Sequence, residues 1–188
     1  MQPRRLIPCL MVVLGVLALS VEALSAQEVP PPREQVRVLL QAFSFDRALA
    51  DRGGLVIGVL YANDSSEAEA IRLAFEELGA DGIQDLPVTA IAVQVRSAAL
   101  LIETFNAEGV TAVYVPENLS LALSSIQQVT RALGLPSVAG GRRLVQLGIS
   151  MGVFLSGTGT RLIVNERSMQ IENVDLPAQV LVVAEVIR

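Results

Sequence analysis

The chain contains no histidine, no lysine and no tryptophan, so all 14 of its cationic side chains are arginines. Without histidine, no imidazole can activate a serine or cysteine nucleophile or bind a metal ion. Without lysine, Schiff-base chemistry is also excluded. We therefore predict that the protein is not an enzyme, that it holds no metal and that it needs no cofactor.

Charge and thiols are equally sparse. The net charge is −5, and no cluster of cations is present that would attract a nucleic acid or an anionic lipid surface. We therefore expect no nucleic-acid partner. The only cysteine is Cys9, which lies within an apolar run near the start of the chain. A chain that loses this segment can form no disulfide of its own.

The first 26 residues have the pattern of a secretory signal peptide. Arginines at positions 4 and 5 precede an apolar run at residues 6–21, and small residues follow at positions 23, 25 and 26. The run is shorter than the roughly 20 residues that a membrane-spanning helix needs. We predict export to the periplasm, with an uncleaved membrane anchor as the alternative.

Residues 27–33 (QEVPPPR) predict a proline-rich linker, and residues 34–188 predict one domain. Apolar runs typical of buried strands alternate with segments of helical periodicity. The predicted strands are 55–61, 88–95, 110–115 and a short 135–138, and the predicted helices are 34–50, 66–79, 97–108 and 119–133. This alternation favours a single three-layer α/β domain with an open, mainly parallel sheet covered by helices on both sides.

The last part of the chain has a different pattern from the alternating strands and helices before it. Residues 147–155 and 161–164 predict two strands that form a hairpin across a glycine-bearing loop. Asn165 can cap a short helix, and Asp175 can cap a last helix, although residues 180–183 (VLVV) fit a strand equally well. A C-terminal hairpin and helix therefore complete the predicted fold.

Four blocks of residues occur in the order seen in YfiR-like periplasmic proteins. They are 43–47 (FSFDR), 56–61 (VIGVLY), 162–165 (LIVN) and 181–187 (LVVAEVI). The chain resembles that family over about residues 36–188. The resemblance implies a single α/β domain with a non-enzymatic role. It also implies a partner such as the inner-membrane diguanylate cyclase that the best-known member represses, and hence a link to cyclic di-GMP signalling.

One property of that family does not carry over to this chain. Cysteine pairs tune repression in the best-known member, whereas the predicted exported part of this chain has no cysteine. Phe43, Phe45, Asp46 and Arg47 belong to the first matching block. We interpret Asp46 and Arg47 as an ion pair or cap that fixes a corner of the fold, with a role in partner binding as the alternative.

Polar side chains follow two of the predicted strands. Asn63, Ser65 and Ser66 come after the first strand, and Glu117 and Asn118 come after the third. Open parallel sheets bind ligands at this end of their strands. The alternative is that these residues only cap the helices that follow. If the two loops converge, they outline a small polar crevice.

Two functions remain open at this point. The first is a periplasmic regulatory or sensor protein that binds an inner-membrane or envelope signalling protein, through the exposed side of the first or last helix. The second is a small periplasmic solute-binding lobe that serves a transporter or receptor. A homodimer is compatible with either function.

Overall fold

The computed structural model describes residues 29–157 and 159–188, so the predicted signal peptide lies outside the described residues. The strands are β1 (Leu55–Tyr61), β2 (Val88–Gln94), β3 (Ala112–Val115), β4 (Ser137–Ala139), β5 (Met151–Ser156), β6 (Gly159–Asn165) and β7 (Glu185–Ile187). The α-helices are α1 (Pro32–Phe43), α2 (Ser66–Leu78), α3 (Ala98–Glu108), α4 (Leu123–Leu133), α5 (Arg142–Gln146), α6 (Glu166–Ile171) and α7 (Ala178–Val183). Two 3₁₀ segments cover Arg47–Arg52 and Glu117–Ala122.

The strands form one seven-stranded sheet in the order β2-β1-β3-β4-β5-β6-β7. The first five strands are parallel, β6 returns antiparallel to β5, and β7 runs parallel to β6. Helices cover both faces, which confirms the predicted three-layer α/β domain with an open, mainly parallel sheet. The predicted C-terminal hairpin is β5 and β6, which belong to the same sheet.

Two apolar cores lie on opposite faces of the sheet. Alternate residues of each buried strand face opposite ways, so that Ile57 and Val59 of β1 join one core and Leu60 joins the other. The first core packs α1, α2, α6 and α7 against the sheet, and the second packs α3, α4 and α5. This explains why β1 is a continuous apolar run: it is covered on both faces.

Both predicted boundaries of the first helix are wrong. It begins at Pro32, inside the predicted linker 27–33, because a proline in the first turn loses no hydrogen bond that a helix would make there. It ends at Phe43 and not at Ala50. The chain then turns at Asp46 into the 3₁₀ segment Arg47–Arg52, which ends at Gly53 with φ of 73°.

Three further elements differ from the prediction. The predicted helix 119–133 is a 3₁₀ segment followed by α4. The predicted strand 147–155 begins only at Met151, because α5 precedes it and Gly148 turns the chain with φ of 104°. The predicted last helix stops at Val183, and residues Glu185–Ile187 pair with β6 as β7. Among the described residues, we find no helix long and apolar enough to cross a membrane.

Candidate functional site

The order of the strands reverses around β1. The chain passes from β1 to β2 on one side, and β3 then pairs with the other side of β1. In open α/β sheets, such a reversal leaves a crevice at the carboxyl ends of the two strands, where ligands bind. Asn63, Ser65 and Ser66 follow β1, and Glu117 and Asn118 follow β3, so the structure places both predicted loops at this edge.

The loop after β1 caps the helix that follows it. The Asp64 carboxylate accepts a hydrogen bond from the Ser66 backbone N–H at 2.9 Å. This bond lowers the pKa of the Asp64 carboxyl below its ordinary value. The Ser65 side chain makes no capping bond, and Asn63, Ser65 and Ser66 are all exposed. Capping is therefore the role of Asp64, and the exposed side chains beside it line the edge.

Tyr114 of β3 lies buried beneath this edge. The sequence analysis does not predict that it contributes to the site. Its side chain is fully buried on the α1 side, where its hydroxyl donates a hydrogen bond to the side-chain oxygen of Gln35. The Gln35 amide in turn donates to the Pro30 carbonyl at 2.6 Å. Phe75 packs edge-on against the Tyr114 ring at 6.4 Å between centroids. The sequence signal that could have revealed this contact is Gln35 itself, because it is a polar residue among the buried positions of α1.

Two carboxylates act electrostatically on Tyr114. Burial raises the pKa of Tyr114 far above its ordinary value, and the charges of Glu67 and Glu117 raise it further. Glu67 lies in the first turn of α2 and is about half buried, and desolvation raises the pKa of its carboxyl. Glu67, which the sequence analysis does not single out, therefore belongs to the edge.

Two glycines after β4 complete the edge. A Cβ atom on Gly140 would collide with the Gln35 side chain and the Tyr114 hydroxyl, and one on Gly141 would collide with the Glu117 carboxylate. The backbone of the β4–α5 loop therefore approaches these side chains as closely as only glycine permits. Gln35, Tyr114 and Glu117 therefore pack directly against this loop.

The block at residues 43–47 divides into structural and exposed parts. Asp46 is fully buried and accepts from the backbone N–H groups of Ala48 at 3.1 Å and Asp175 at 2.9 Å, and it pairs with Arg52 at 2.6 Å. Asp46 thus has the predicted capping role, although its ionic partner is Arg52. The Arg47 side chain makes only an exposed ion pair, with Asp175 at 3.6 Å. Phe43 is buried in the core.

Phe45, in contrast, is 46% exposed and borders an apolar groove between α1, β6 and α7. The groove has a volume of about 230 Å³. Val38, Leu162, Val180 and Val183 form its apolar wall, with Gln41 and Arg161 at its rim. Val183 is 66% exposed. We call this surface the α1–α7 groove; it lies on the helices that the sequence analysis proposed for partner contact.

A third polar cluster surrounds Glu172, which follows α6 and is fully buried. Its carboxylate accepts from the Thr130 hydroxyl at 2.7 Å, from the backbone N–H and hydroxyl of Ser137 at 2.8 and 2.7 Å, and from the Ser150 hydroxyl. These donors satisfy the carboxylate internally, so this cluster holds α6 against the sheet. In the part of the chain that the structure describes, no group of three or more acidic or thiol side chains is arranged to hold a metal ion.

Comparison with known proteins identifies the class of fold. The chain matches no protein-family model and no curated protein. Solved structures with the same fold include bacterial binding domains that share little sequence with it.

The particular matches are as follows. An ABC domain from Streptococcus pneumoniae, solved in complex with L-Trp, is 16% identical with a TM-score of 0.58, over 84% of this chain and 62% of that one. A conserved domain protein from Vibrio cholerae is 13% identical with a TM-score of 0.60, over 81% and 60%. The ligand-free, open form of a substrate binding protein with adhesive properties from Clostridium difficile is 12% identical with a TM-score of 0.55, over 75% and 57%.

These likenesses establish the fold. The aligned part of this chain corresponds to 57–62% of each of these structures. The fold is therefore shared with only part of each of those longer chains.

Proposed function

We propose that this protein is an exported, non-catalytic binding domain that takes a small solute at the carboxyl ends of β1 and β3. The observation that carries the proposal is the strand-order reversal at β1, together with the polar side chains that the two loops bring to that edge. The fold likeness to a substrate binding protein and to a domain that binds L-Trp supports the same function, and it supports export as well.

The charges at the edge favour a solute with an ammonium group, of which a free amino acid is the simplest case. Glu67 and Glu117 supply the negative potential near Tyr114. The first turn of α2, a helix of 13 residues, directs its backbone N–H groups to the same edge; Asp64 accepts from that of Ser66, and the N–H groups of the residues that follow would suit the carboxylate of the solute. A zwitterion would therefore find complementary partners on both of its charged groups.

A single lobe limits how tightly this solute is held. Two-lobed binding proteins close around a ligand and bury it from both sides. The described domain contacts the ligand from one side only, so we expect weak binding by this domain unless a further domain or a partner covers the edge. Such a partner would be the transporter or receptor that the domain serves.

The absence of tryptophan from the chain permits a direct experiment. The intrinsic fluorescence of free L-Trp can be followed during titration with no background from tryptophan in the protein, and the remaining amino acids can compete with it. We expect saturable binding of at least one free amino acid. Titrations with all of them that show no saturable binding would contradict the proposal.

Matched variants locate the site. Glu67→Gln and Glu117→Gln remove the charges that would face an ammonium group, so each should weaken binding about tenfold, as expected for a charged hydrogen bond. Glu103→Gln, at an exposed position on α3 across the sheet, removes the same charge elsewhere and should leave the affinity unchanged. Equal affinities in all three variants would place the ligand at another site.

The α1–α7 groove supports a second candidate, the regulatory protein that the YfiR-like blocks imply. Its exposed Phe45 and Val183 form an apolar surface with a polar rim, which is the composition of a protein-binding site. Deletion of the protein would then change cyclic di-GMP levels, and crosslinking would recover a membrane protein. Val183→Asp should abolish that crosslink, whereas an unchanged yield would exclude the groove.

A further inference from the structure

The two edges of the sheet are protected to different degrees. The edge strand β7 has three residues, and its Glu185 is held in an ion pair by Arg142. The edge strand β2 has seven residues, VTAIAVQ, with no charge and no proline among them. Edge strands of soluble proteins are usually short, charged, bulged or covered, because an open edge pairs with other chains. The β2 edge lacks the features that protect β7.

The hydrogen bonds to β1 show which backbone groups of β2 face outward. The Pro87 carbonyl accepts from the Leu55 N–H at 2.9 Å, and the Val95 N–H donates to the Tyr61 carbonyl at 2.8 Å. Successive residues of a strand direct their backbone groups to alternate sides, so the odd-numbered residues of β2 face β1. The N–H and C=O groups of the even-numbered residues therefore face away from the sheet. These residues are Val88, Ala90, Ala92 and Gln94.

We propose that two copies of this chain pair antiparallel through β2, with Ile91 of each copy opposite the partner's Ile91 on the two-fold axis. In this register Ala90 lies opposite the partner's Ala92, and Val88 lies opposite the partner's Gln94. Both are hydrogen-bonded positions, so every outward N–H and C=O of β2 finds a partner. The two sheets then become one continuous sheet.

The sequence of β2 suits a second copy better than another peptide, because the residues on the two sides of Ile91 are alike over the first two positions. Ala90 and Ala92 flank the centre symmetrically, and the next pair, Thr89 and the partner's Val93, joins two β-branched side chains. No residue from 87 to 95 is charged, so the pairing brings no like charges together. Thr89 and Ala92 are exposed in the single chain, which leaves the edge accessible.

The pairing has a geometric consequence for the candidate site. Because the two β2 strands run in opposite directions, the carboxyl edges of the two copies lie at opposite ends of the joined sheet. The dimer would therefore present its two sites to opposite sides. The inference does not depend on the proposed function, since it rests on the β2 edge alone.

Introduced cysteines test the register, since Cys9 is the only native cysteine and can be replaced. In a Cys9→Ser background, Ile91→Cys should form an intermolecular disulfide on mild oxidation. Thr89→Cys alone should not, because the two Thr89 residues would lie four positions apart along the paired strands, about 13 Å, beyond the reach of a disulfide. The double variant Thr89→Cys/Val93→Cys should crosslink again.

The association itself is measured by sedimentation velocity on the protein expressed from its full coding sequence, over a wide range of concentrations. We expect a monomer–dimer equilibrium. Ala92→Pro removes an outward N–H without touching the bonds to β1, so it should give a monomer with an unchanged circular dichroism spectrum. Ala92→Thr keeps the N–H and should still dimerise. If Ala92→Pro is misfolded, Thr89→Arg provides the same test by adding a charge to the edge.

Three results would overturn the proposal. The first is a native protein that stays monomeric at every concentration. The second is crosslinking of Thr89→Cys as efficiently as Ile91→Cys, which would indicate random collisions. The third is a stable dimer that Ala92→Pro and Thr89→Arg leave intact, which would place the dimer contact on another surface.

Discussion

The side chains of Gln35 and Tyr114 meet in one buried hydrogen bond, although 79 residues separate them in the sequence. Gln35 lies near the start of α1, and Tyr114 lies in β3 at the floor of the candidate site. Through this bond the first helix is joined to the edge where β1 and β3 end. The shape of the site therefore depends on a contact between the first turns of the domain and the centre of its sheet.

The first prediction concerns this bond. Gln35→Leu leaves the Tyr114 hydroxyl buried without its acceptor, and we expect a loss of about 1–3 kcal/mol in the free energy of unfolding. Tyr114→Phe leaves the Gln35 oxygen without its donor and should cost a similar amount. The double variant should cost less than the sum of the two, because neither group is then left unpaired. Urea denaturation followed by circular dichroism measures all three, and strictly additive losses would contradict the pairing.

The second prediction concerns Asp46, which joins the end of α1 to Asp175, in the segment that leads into α7. Asp46→Ala removes the acceptor of two backbone N–H groups and leaves Arg52, which is 12% exposed, without its carboxylate. We expect a loss of about 3 kcal/mol. The neighbouring Arg47→Ala breaks only an exposed ion pair and should change stability by less than about 0.5 kcal/mol. Equal losses in the two variants would show that Asp46 does not hold this corner.

The third prediction concerns Glu172. Glu172→Ala leaves the hydroxyl and N–H donors of Thr130, Ser137 and Ser150 unpaired in the interior, so we expect a loss of about 3 kcal/mol. Glu172→Gln keeps one acceptor oxygen and should lose less. The exposed Glu166→Ala is the control. Urea unfolding that gives the same midpoint for Glu172→Ala and Glu166→Ala would rule out a structural role for the cluster.

The fourth prediction concerns the pH dependence of stability at Glu67. Burial raises the pKa of this carboxyl above its ordinary 4.5, so the folded protein binds a proton more tightly than the unfolded chain does. This contribution to stability is present below about pH 4.5 and is lost as the pH rises through the raised pKa. Glu67→Gln removes the loss, so the variant should gain stability over the native protein between acidic and neutral pH.

This gain is small, because the carboxyl is half exposed and solvent screens it. Urea unfolding of both proteins at several pH values measures it. The pKa of Asp64 is also shifted, but Asp64 is present in both proteins, so its contribution to the pH dependence cancels in the difference. A variant whose stability parallels the native curve at every pH would contradict the desolvation of Glu67. If the proposed ligand site is correct, the same variant is more stable and binds more weakly, as expected for a residue retained for function.

The sequence predicts an element correctly where its pattern of apolar residues and its position in the fold favour the same structure. The apolar run of β1 between Gly53–Gly54 and Asp64 predicted both a buried strand and the helix that follows it. The prolines of residues 27–33 predict a linker, so the sequence pattern does not locate the start of α1 at Pro32, although the first turn of a helix accepts a proline. The strand β7 has three residues and is defined only by its pairing with β6, which no local pattern reveals.

The candidate site was predictable only in its loops. Asn63, Ser65, Ser66, Glu117 and Asn118 follow apolar strands, and the parallel topology then places them at one edge. Tyr114 and Gln35 could not be assigned to it, because their contact depends on how α1 crosses the sheet. The same holds for the exposed face of Phe45, since only the packing of α1 against α7 separates it from the buried Phe43.

A titration of ¹⁵N-labelled protein with free amino acids, followed by backbone amide chemical shifts, tests the central claim most directly. We predict that the bound amino acid shifts the amides of residues 63–67 and 117–118, which belong to the loops after β1 and β3, and that Glu117→Gln reduces those shifts. No saturable shift with any amino acid, or shifts confined to the α1–α7 groove, would contradict a solute site at the carboxyl edge of the sheet.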